Sequence, residues 1–149
     1  MVIKDNYKGH LILINRMERF YPFLAWNEDE KCIELDDVAC AIHSAAPEQS
    51  EPHGHGYMDL IYPKTNEWHL GRILYFINRP DEIRDIEIDN MCSGAYINPY
   101  PVIIDGNHRF YAAMWLHDRG KMDKIHCLYG GRQDVLDYLI GKSDICPAE

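Results

Sequence analysis

The sequence predicts an α+β fold, close in character to the α/β class: one domain with a small mixed sheet flanked by helices. The 149 residues correspond to one ordinary domain. Short apolar runs rich in β-branched residues alternate along the chain with segments of helical periodicity. Hydrophobic residues make up 46% of the chain and charged residues 26%, a composition that can bury a packed core.

The first third of the chain contains one predicted strand and one predicted helix. Residues 10–14 are short, apolar and partly β-branched, as in a buried strand. Asp36 or Asp37 is expected to cap a helix that runs to about residue 44, with Val38, Ala41 and Ile42 on one apolar face. Residues 47–55 contain two Pro, two Glu and a Gly and are predicted to form a loop.

The rest of the chain carries the clearer signals. Apolar residues recur at helical spacing over 67–78, where Thr65 or Asn66 can cap the helix and Pro80 ends it. Residues 85–89 alternate as a half-buried strand does, and the stretch 91–100, with Ser-Gly and Asn-Pro pairs, is predicted to be an irregular loop. The remaining predicted elements are a strand at 102–104, a helix at 108–119, a strand at 125–129 and a helix at 134–140.

Charge and cysteine content restrict the function classes. The net charge is −9, from 15 basic and 24 acidic residues, which disfavours a dominant electrostatic grip on nucleic acid while leaving room for a local basic pocket. Five cysteines, an odd number without a CxxC pair, are typical of reduced thiols. We find neither a signal peptide nor an apolar run long enough to span a membrane, so we expect a cytoplasmic protein.

The segment from Asp105 to Arg109 predicts an anion site. A buried strand ends there, Gly106 permits a tight turn, and a helix begins whose first N–H groups have no intrahelical partner. Such a helix start favours an anion. His108 and Arg109 add side-chain donors, Asn107 an amide, and Asp105 a carboxylate for a hydroxyl or a metal ion. This combination suits a di- or triphosphate.

A purely structural interpretation of the same residues stays open. Asp105 can serve as a helix cap, Gly106 as an ordinary turn residue and Arg109 as a salt-bridge partner. The residue types alone do not decide between this interpretation and a phosphate site.

The stretch PVIIDGNHRFYAAMWL resembles the strand-turn-helix signature of the ParB/sulfiredoxin superfamily. Members carry a Gly-x-x-Arg or Gly-x-His-Arg turn after a strand, followed by an Ala-rich helix that packs on the sheet. The upstream helix and the downstream strand also fit, so the resemblance covers roughly residues 65–130. The local pattern is most similar to the Asp-Gly-His-His-Arg turn of the free-serine-kinase-like members, with Asn107 in place of the first His.

The resemblance implies nucleotide binding at this turn. Sulfiredoxins use ATP, ParB proteins bind and hydrolyse CTP, the serine kinase uses ADP, and some relatives have been described as nucleases. The sequence departs from two of these groups: Asn107 occupies the position of the essential sulfiredoxin cysteine, and there is no room for the helix-turn-helix module of ParB. We therefore expect ATP, ADP or CTP as cofactor with Mg²⁺, phosphates held by residues 106–109, and an unknown small-molecule or protein acceptor.

Four further side chains are candidates for the same site. Glu67 is our first candidate for the base that activates a substrate hydroxyl and His69 the second, although Glu67 can equally complement the helix dipole. Arg72 lies one turn further on and either clamps phosphate or pairs with Glu67. Asp89 ends the predicted strand and either binds Mg²⁺ together with phosphates or caps the following loop. With these residues we assign catalytic roles to Glu67, Asp105 and His108.

Two other sets of residues are weaker candidates for a functional site. His53 and His55 can share one face of an extended segment and bind zinc, but no third ligand is evident, so a flexible loop is the preferred interpretation. The aromatic residues at 20–26 lack the interleaved basic residues of a base-stacking platform, and we interpret them as core or lid residues.

Three functions are consistent with these residues. The first is a phosphotransferase or NTPase that binds nucleotide at residues 105–109, where positioning and charge neutralisation supply most of the catalysis. The second is a metal-dependent DNA nuclease of the same fold, which the net charge disfavours. The third is a non-enzymatic module that binds nucleotide or another protein. Fold analogy alone does not choose among them.

Overall fold

The computed structural model describes residues 8–20, 33–51, 64–93 and 96–147. These residues form four strands and five α-helices, so the predicted α+β class is confirmed. The strands are β1 (Lys8–Leu13), β2 (Ile86–Ser93), β3 (Tyr96–Asp105) and β4 (Lys124–Gly130). The helices are α1 (Ile14–Glu18), α2 (Leu35–His43), α3 (Asn66–Ile77), α4 (Asn107–Asp118) and α5 (Gln133–Leu139), with a short 3₁₀ turn at Pro80–Glu82.

The sheet is mixed, with the strand order β1-β4-β2-β3. The central pair β2 and β4 is parallel, and both outer pairs are antiparallel. A parallel pair needs a long crossover, and α4 lies within the connection that carries the chain from β3 back to β4. In the β2–β3 pair, Glu87 lies opposite Asp105, so the C-terminal end of β3 lies beside the N-terminal end of β2.

Helix α4 is the central helix of the core. Every residue from Phe110 to Leu116 is buried, and a helix that is apolar on all sides belongs inside a domain. Ala112 and Ala113 are fully buried. Their small side chains allow neighbouring backbone to approach closely, and α3 packs along this helix. No helix among the described residues is long and apolar enough to cross a membrane.

Helix α3 is built as its sequence predicts. Thr65 is its N-cap, and the Thr65 side chain accepts a hydrogen bond from the Trp68 N–H at 3.2 Å. Ile73 and Leu74 are buried, and the chain leaves the helix at Asn78 before the Pro80 turn. The helices predicted at 108–119 and 134–140 and the strand at 125–129 are each confirmed within a residue or two.

The largest error concerns residues 91–100, which we predicted to be an irregular loop. Residues 91–93 belong instead to β2 and residues 96–100 to β3, and these two strands pair antiparallel. Pro99, in its Asn-Pro pair, was interpreted as a loop signal, and Pro101 follows directly after that predicted loop. Because β3 is an edge strand, it tolerates residues that cannot donate a backbone hydrogen bond.

Smaller corrections affect three other predictions. The strand predicted at 10–14 is β1, but Ile14 already begins α1. Glu34, not Asp36 or Asp37, is the N-cap of α2, and Asp37 completes a capping box by accepting the Glu34 N–H at 2.8 Å. Ile42 was expected to be buried but is 44% exposed.

Candidate functional site

The predicted turn joins β3 to α4 through a glycine in the left-handed region. Gly106 has φ 106° and ψ 25° and is the N-cap of α4, so Asp105 does not cap this helix through its side chain. A Cβ on Gly106 would lie 3.1 Å from Nη2 of Arg109 and 3.2 Å from Cγ1 of Ile86. Both the backbone conformation and the lack of space for a Cβ therefore require glycine at this position, and α4 begins directly after it.

The Arg109 side chain bridges the turn and the backbone just before β2. Its Nη1 donates to the carbonyl oxygen of Arg84 at 2.6 Å, and its Nη2 lies 3.4 Å from the Asp105 carboxylate. The side chain is only 20% exposed. Arg109 thus ties the entry of β2 to the start of α4, as the purely structural interpretation expects. A guanidinium has five N–H donors, so these contacts leave donors for a ligand.

Two histidines from different helices meet beside the turn. Nδ1 of His69 on α3 lies 2.9 Å from Nε2 of His108 on α4, and the rings are stacked with centroids 5.2 Å apart. His69 is only 4% exposed, and the Trp68 ring meets both imidazoles edge-on. The contact requires one ring nitrogen to donate and the other to accept, so the tautomer of each histidine depends on the other.

Arg72 extends this group of side chains along α3. Its guanidinium donates to the carbonyl oxygens of Gln49 and Ser50 at 3.3 and 3.0 Å and packs over the ring of Phe76 at 4.5 Å. Burial holds the pKa of Arg72 below its usual range, and the positive charge of Arg109 lowers this pKa further. We call His69, Arg72, His108 and Arg109 the basic cluster.

The three carboxylates of the predicted site are dispersed. Glu67 is exposed in the first turn of α3, and Asp105 is 55% exposed at the end of β3. We placed Asp89 at the end of a strand, but β2 continues past it to Ser93, and Asp89 is half-buried within the strand. Asp89 is two residues beyond the partner of Asp105 in the register, roughly 7 Å along the sheet.

Metal ligands do not converge within the described ranges. Among the residues that the structure describes, no group of three or more His, Cys, Asp or Glu side chains is arranged to hold a metal ion. His53 and His55 lie outside the described residues, as do Tyr21, Phe23 and Trp26 of the aromatic segment. Asn107, the remaining predicted phosphate ligand, is half-buried as the first residue of α4.

Several neighbours of the site were not predicted. The carbonyl groups of Arg84 and Asp85 hold Arg109, and Asp85 adopts a left-handed φ of 56° while its carboxylate lies 2.9 Å from Nδ1 of His126. Glu87, next to Asp105 in the sheet, is only 7% exposed although alternation with Ile86 and Ile88 predicts an outward-facing residue. The residue types do not reveal which backbone carbonyls will hold an arginine. An acidic residue inside an apolar strand, as Glu87 is, can be recognised from the sequence.

The fold and the site therefore define a small α+β domain with a basic cluster at the start of a buried helix. Comparison of the chain with protein-family models, curated proteins and solved structures gave no match.

Proposed function

We propose that the protein is a nucleotide-binding enzyme that transfers or hydrolyses a phosphoryl group, with phosphates held at the turn from Asp105 to Arg109. The observation that carries the proposal is the basic cluster beside a left-handed glycine at a helix start. Helix N-termini attract anions through their N–H groups and dipole. The resemblance of this turn to the ParB/sulfiredoxin superfamily supports the same function.

The electrostatics of the cluster favour a multiply charged anion. Arg72 and Arg109 lie close enough for the charge of one to lower the pKa of the other. An anion that contacts both guanidinium groups relieves this repulsion, and planar guanidinium groups bind phosphate oxygens well. The chain carries a net charge of −9, so the basic cluster is a local concentration of positive charge in an acidic protein.

The expected reaction is an in-line displacement at the terminal phosphorus of ATP, ADP or CTP. An acceptor oxygen, from water or an acceptor hydroxyl, forms a bond to phosphorus as the bond to the leaving phosphate oxygen breaks. Glu67 or the His69–His108 pair takes the proton of the acceptor. The pair suits this role because a proton received by His108 can be shared with His69 at 2.9 Å.

Mg²⁺ would neutralise charge on the phosphates. The donors present fit such an ion, because Mg²⁺ bound to a nucleotide needs only one or two protein carboxylates and takes its other ligands from phosphates and water. Asp105, exposed at the turn, is better placed for this role than Asp89, which lies further along β2.

Calorimetric titration with ATP, ADP and CTP in the presence of Mg²⁺ tests the proposal. We expect at least one nucleotide to bind, and Arg72→Gln and Arg109→Lys to weaken binding by tenfold or more because each loses a guanidinium contact. Arg119→Gln, at the far end of the same helix, is the matched control and should bind as the wild type does. Circular dichroism confirms that each variant is folded.

The outcomes separate the three functions. If no nucleotide binds to folded protein, the proposal is refuted. Metal-dependent cleavage of DNA in the same preparation would favour the nuclease instead. Binding without turnover on small hydroxyl acceptors or water would favour the non-enzymatic module. For the catalytic step, we expect His69→Gln to reduce turnover and to alter its pH profile while leaving nucleotide affinity within about twofold, because His69 is buried against His108 and lies outside the proposed phosphate-binding turn.

A further inference from the structure

A second recess lies at the opposite end of the helices that form the basic cluster. The C-terminal ends of α2, α3 and α4 surround a cavity of about 430 Å³, within the range of about 300–1,000 Å³ that is usual for small-molecule sites. Arg119 on its wall is ten residues beyond Arg109, which places the cavity about 15 Å along α4 from the phosphate turn. The two sites are therefore separate.

The floor and one wall of this cavity are apolar. Leu74 and Trp115 are nearly buried at its base, and Ile77 and Ile42 line its side. Ile42 is 44% exposed, although it belongs to the apolar pattern of α2. A large aliphatic side chain exposed in a concave apolar setting gains free energy when a ligand covers it.

The backbone beside the cavity carries a strained residue. Ala45 follows α2 with φ 56°, in the left-handed region where glycine is the usual residue. The Ala46 N–H bonds to the Ala41 carbonyl and the Ala45 N–H to the Ile42 carbonyl, the pattern of a Schellman helix end. Ala45 is one of the residues that line the cavity, so this strained helix end forms part of its wall.

One positively charged side chain at the rim of the cavity, Lys121, has no carboxylate partner among the described residues. Both carboxylate oxygens of Glu48 are engaged, by Asn78 and by Arg79 at 3.0 Å. Arg119 stacks on the Trp115 ring at 3.9 Å and lies 3.7 Å from the Asp118 carboxylate. Lys121 completes the lining, and no described residue forms an ion pair or side-chain hydrogen bond with its ammonium group. A ligand that complements this rim brings a negative charge to Lys121.

We propose that this cavity binds a small amphipathic organic anion, whose carboxylate meets Lys121 and whose hydrocarbon body lies against Ile42, Leu74 and Ile77. The hydrocarbon contact supplies most of the affinity, since each methylene buried multiplies it by about four. The exposed ion pair adds a factor of roughly two to five and sets the preference for anions. This proposal does not rest on the proposed nucleotide site.

Titration with octanoate, octanol and octylamine, all below micelle-forming concentrations, tests the proposal on the full chain. Binding is followed by NMR through the alanine methyl groups at 41, 45 and 46 and the indole N–H of Trp115. We expect saturable shifts confined to these probes, with octanoate bound most tightly and hexanoate, which lacks two methylene groups, roughly fifteenfold more weakly than octanoate. Octylamine should bind least, because Lys121 repels it.

Two variants make the test specific. Lys121→Gln should lower octanoate affinity two- to fivefold and leave octanol affinity unchanged, whereas Lys142→Gln, an exposed lysine elsewhere, should change neither. Ile42→Thr should weaken octanoate and octanol alike. Shifts that do not saturate, equal binding of octylamine and octanoate, or an unchanged octanoate affinity in Lys121→Gln would each overturn the proposal.

Discussion

Two glycines with positive φ provide a matched test of the phosphate turn. Gly120, after α4, has φ 71°, and a Cβ there would meet nothing within 4 Å. Gly120→Ala therefore costs only the left-handed conformation, about 1–2 kcal/mol, partly offset by a less flexible unfolded chain. Gly106→Ala incurs at least this cost, because φ 106° lies beyond the left-handed region open to alanine, and it adds contacts at 3.1 and 3.2 Å to Arg109 and Ile86.

The second contact makes the Gly106 substitution more severe. Ile86 is fully buried, so it can yield only by disturbing its packing in the core, and overpacking of this kind adds about 1–3 kcal/mol. We expect Gly106→Ala to destabilise the protein by about 2–4 kcal/mol, at least about 1 kcal/mol more than Gly120→Ala. For a chain of this size each kcal/mol lowers Tm by about 2–4 °C.

Urea denaturation of both variants, followed by circular dichroism, measures the difference in the free energy of unfolding. The m-values should stay at the wild-type value, because neither substitution changes the amount of surface that unfolding exposes. If Gly106→Ala is no more destabilising than Gly120→Ala, the packing argument for this turn fails. Nucleotide titration of Gly106→Ala, at a temperature where it is folded, should also give weaker binding than that of Gly120→Ala.

Three further predictions concern stability away from the site. Ala45→Gly should stabilise the protein by about 1 kcal/mol in urea by relieving the left-handed alanine, and no gain would argue against strain there. Burial raises the pKa of the Cys127 thiol to about 12 from an ordinary value of 9.0, so the native state keeps a proton that the unfolded chain loses. The free energy of unfolding should therefore fall by about 1.4 kcal/mol per pH unit between pH 9.0 and about 12. Cys127→Ala should flatten this decline in urea titrations at alkaline pH. An unchanged slope in the variant would show that other groups cause the decline. Tyr129→Phe removes a hydroxyl that donates to buried Asn90 and lies 2.9 Å from the Arg132 carbonyl, and should cost about 1–3 kcal/mol by thermal denaturation. A loss below that range would mean that water replaces the hydroxyl.

Sequence reasoning succeeded where local signals agree with the tertiary environment. In α3, the Thr65 cap, the apolar periodicity and Pro80 all indicate the same helix. It failed where the sheet overrides local propensity: residues around Pro99 and Pro101 have loop composition but occupy an edge strand, whose pairing depends on β2. The Glu34 cap was missed because Asp36 and Asp37 are stronger cap formers by type, although the capping geometry uses Asp37 only as the third helical residue.

The candidate site was predictable in outline only. The motif from Asp105 to Arg109 placed the turn correctly, because a glycine between a strand and a helix has few conformational alternatives. The contact between His69 and His108 was not predicted, since 39 residues separate them and only the packing of α3 on α4 brings them together. Likewise, the carbonyl partners of Arg72 and Arg109 depend on loop backbone, which residue types do not encode.

The sheet order also has a consequence for how the chain folds during synthesis. β2, β3 and α4 are contiguous, so the hairpin and its following helix can form from local contacts soon after they leave the ribosome. β1 cannot join them, because its partner in the sheet is β4, with Lys8 opposite Tyr129. β1, the first of the described strands, therefore pairs only after residues 124–130 have been made, with apolar residues such as Ile12 exposed in the meantime. Closing this long loop is an expected slow step, and the nascent chain depends most on chaperones during that interval.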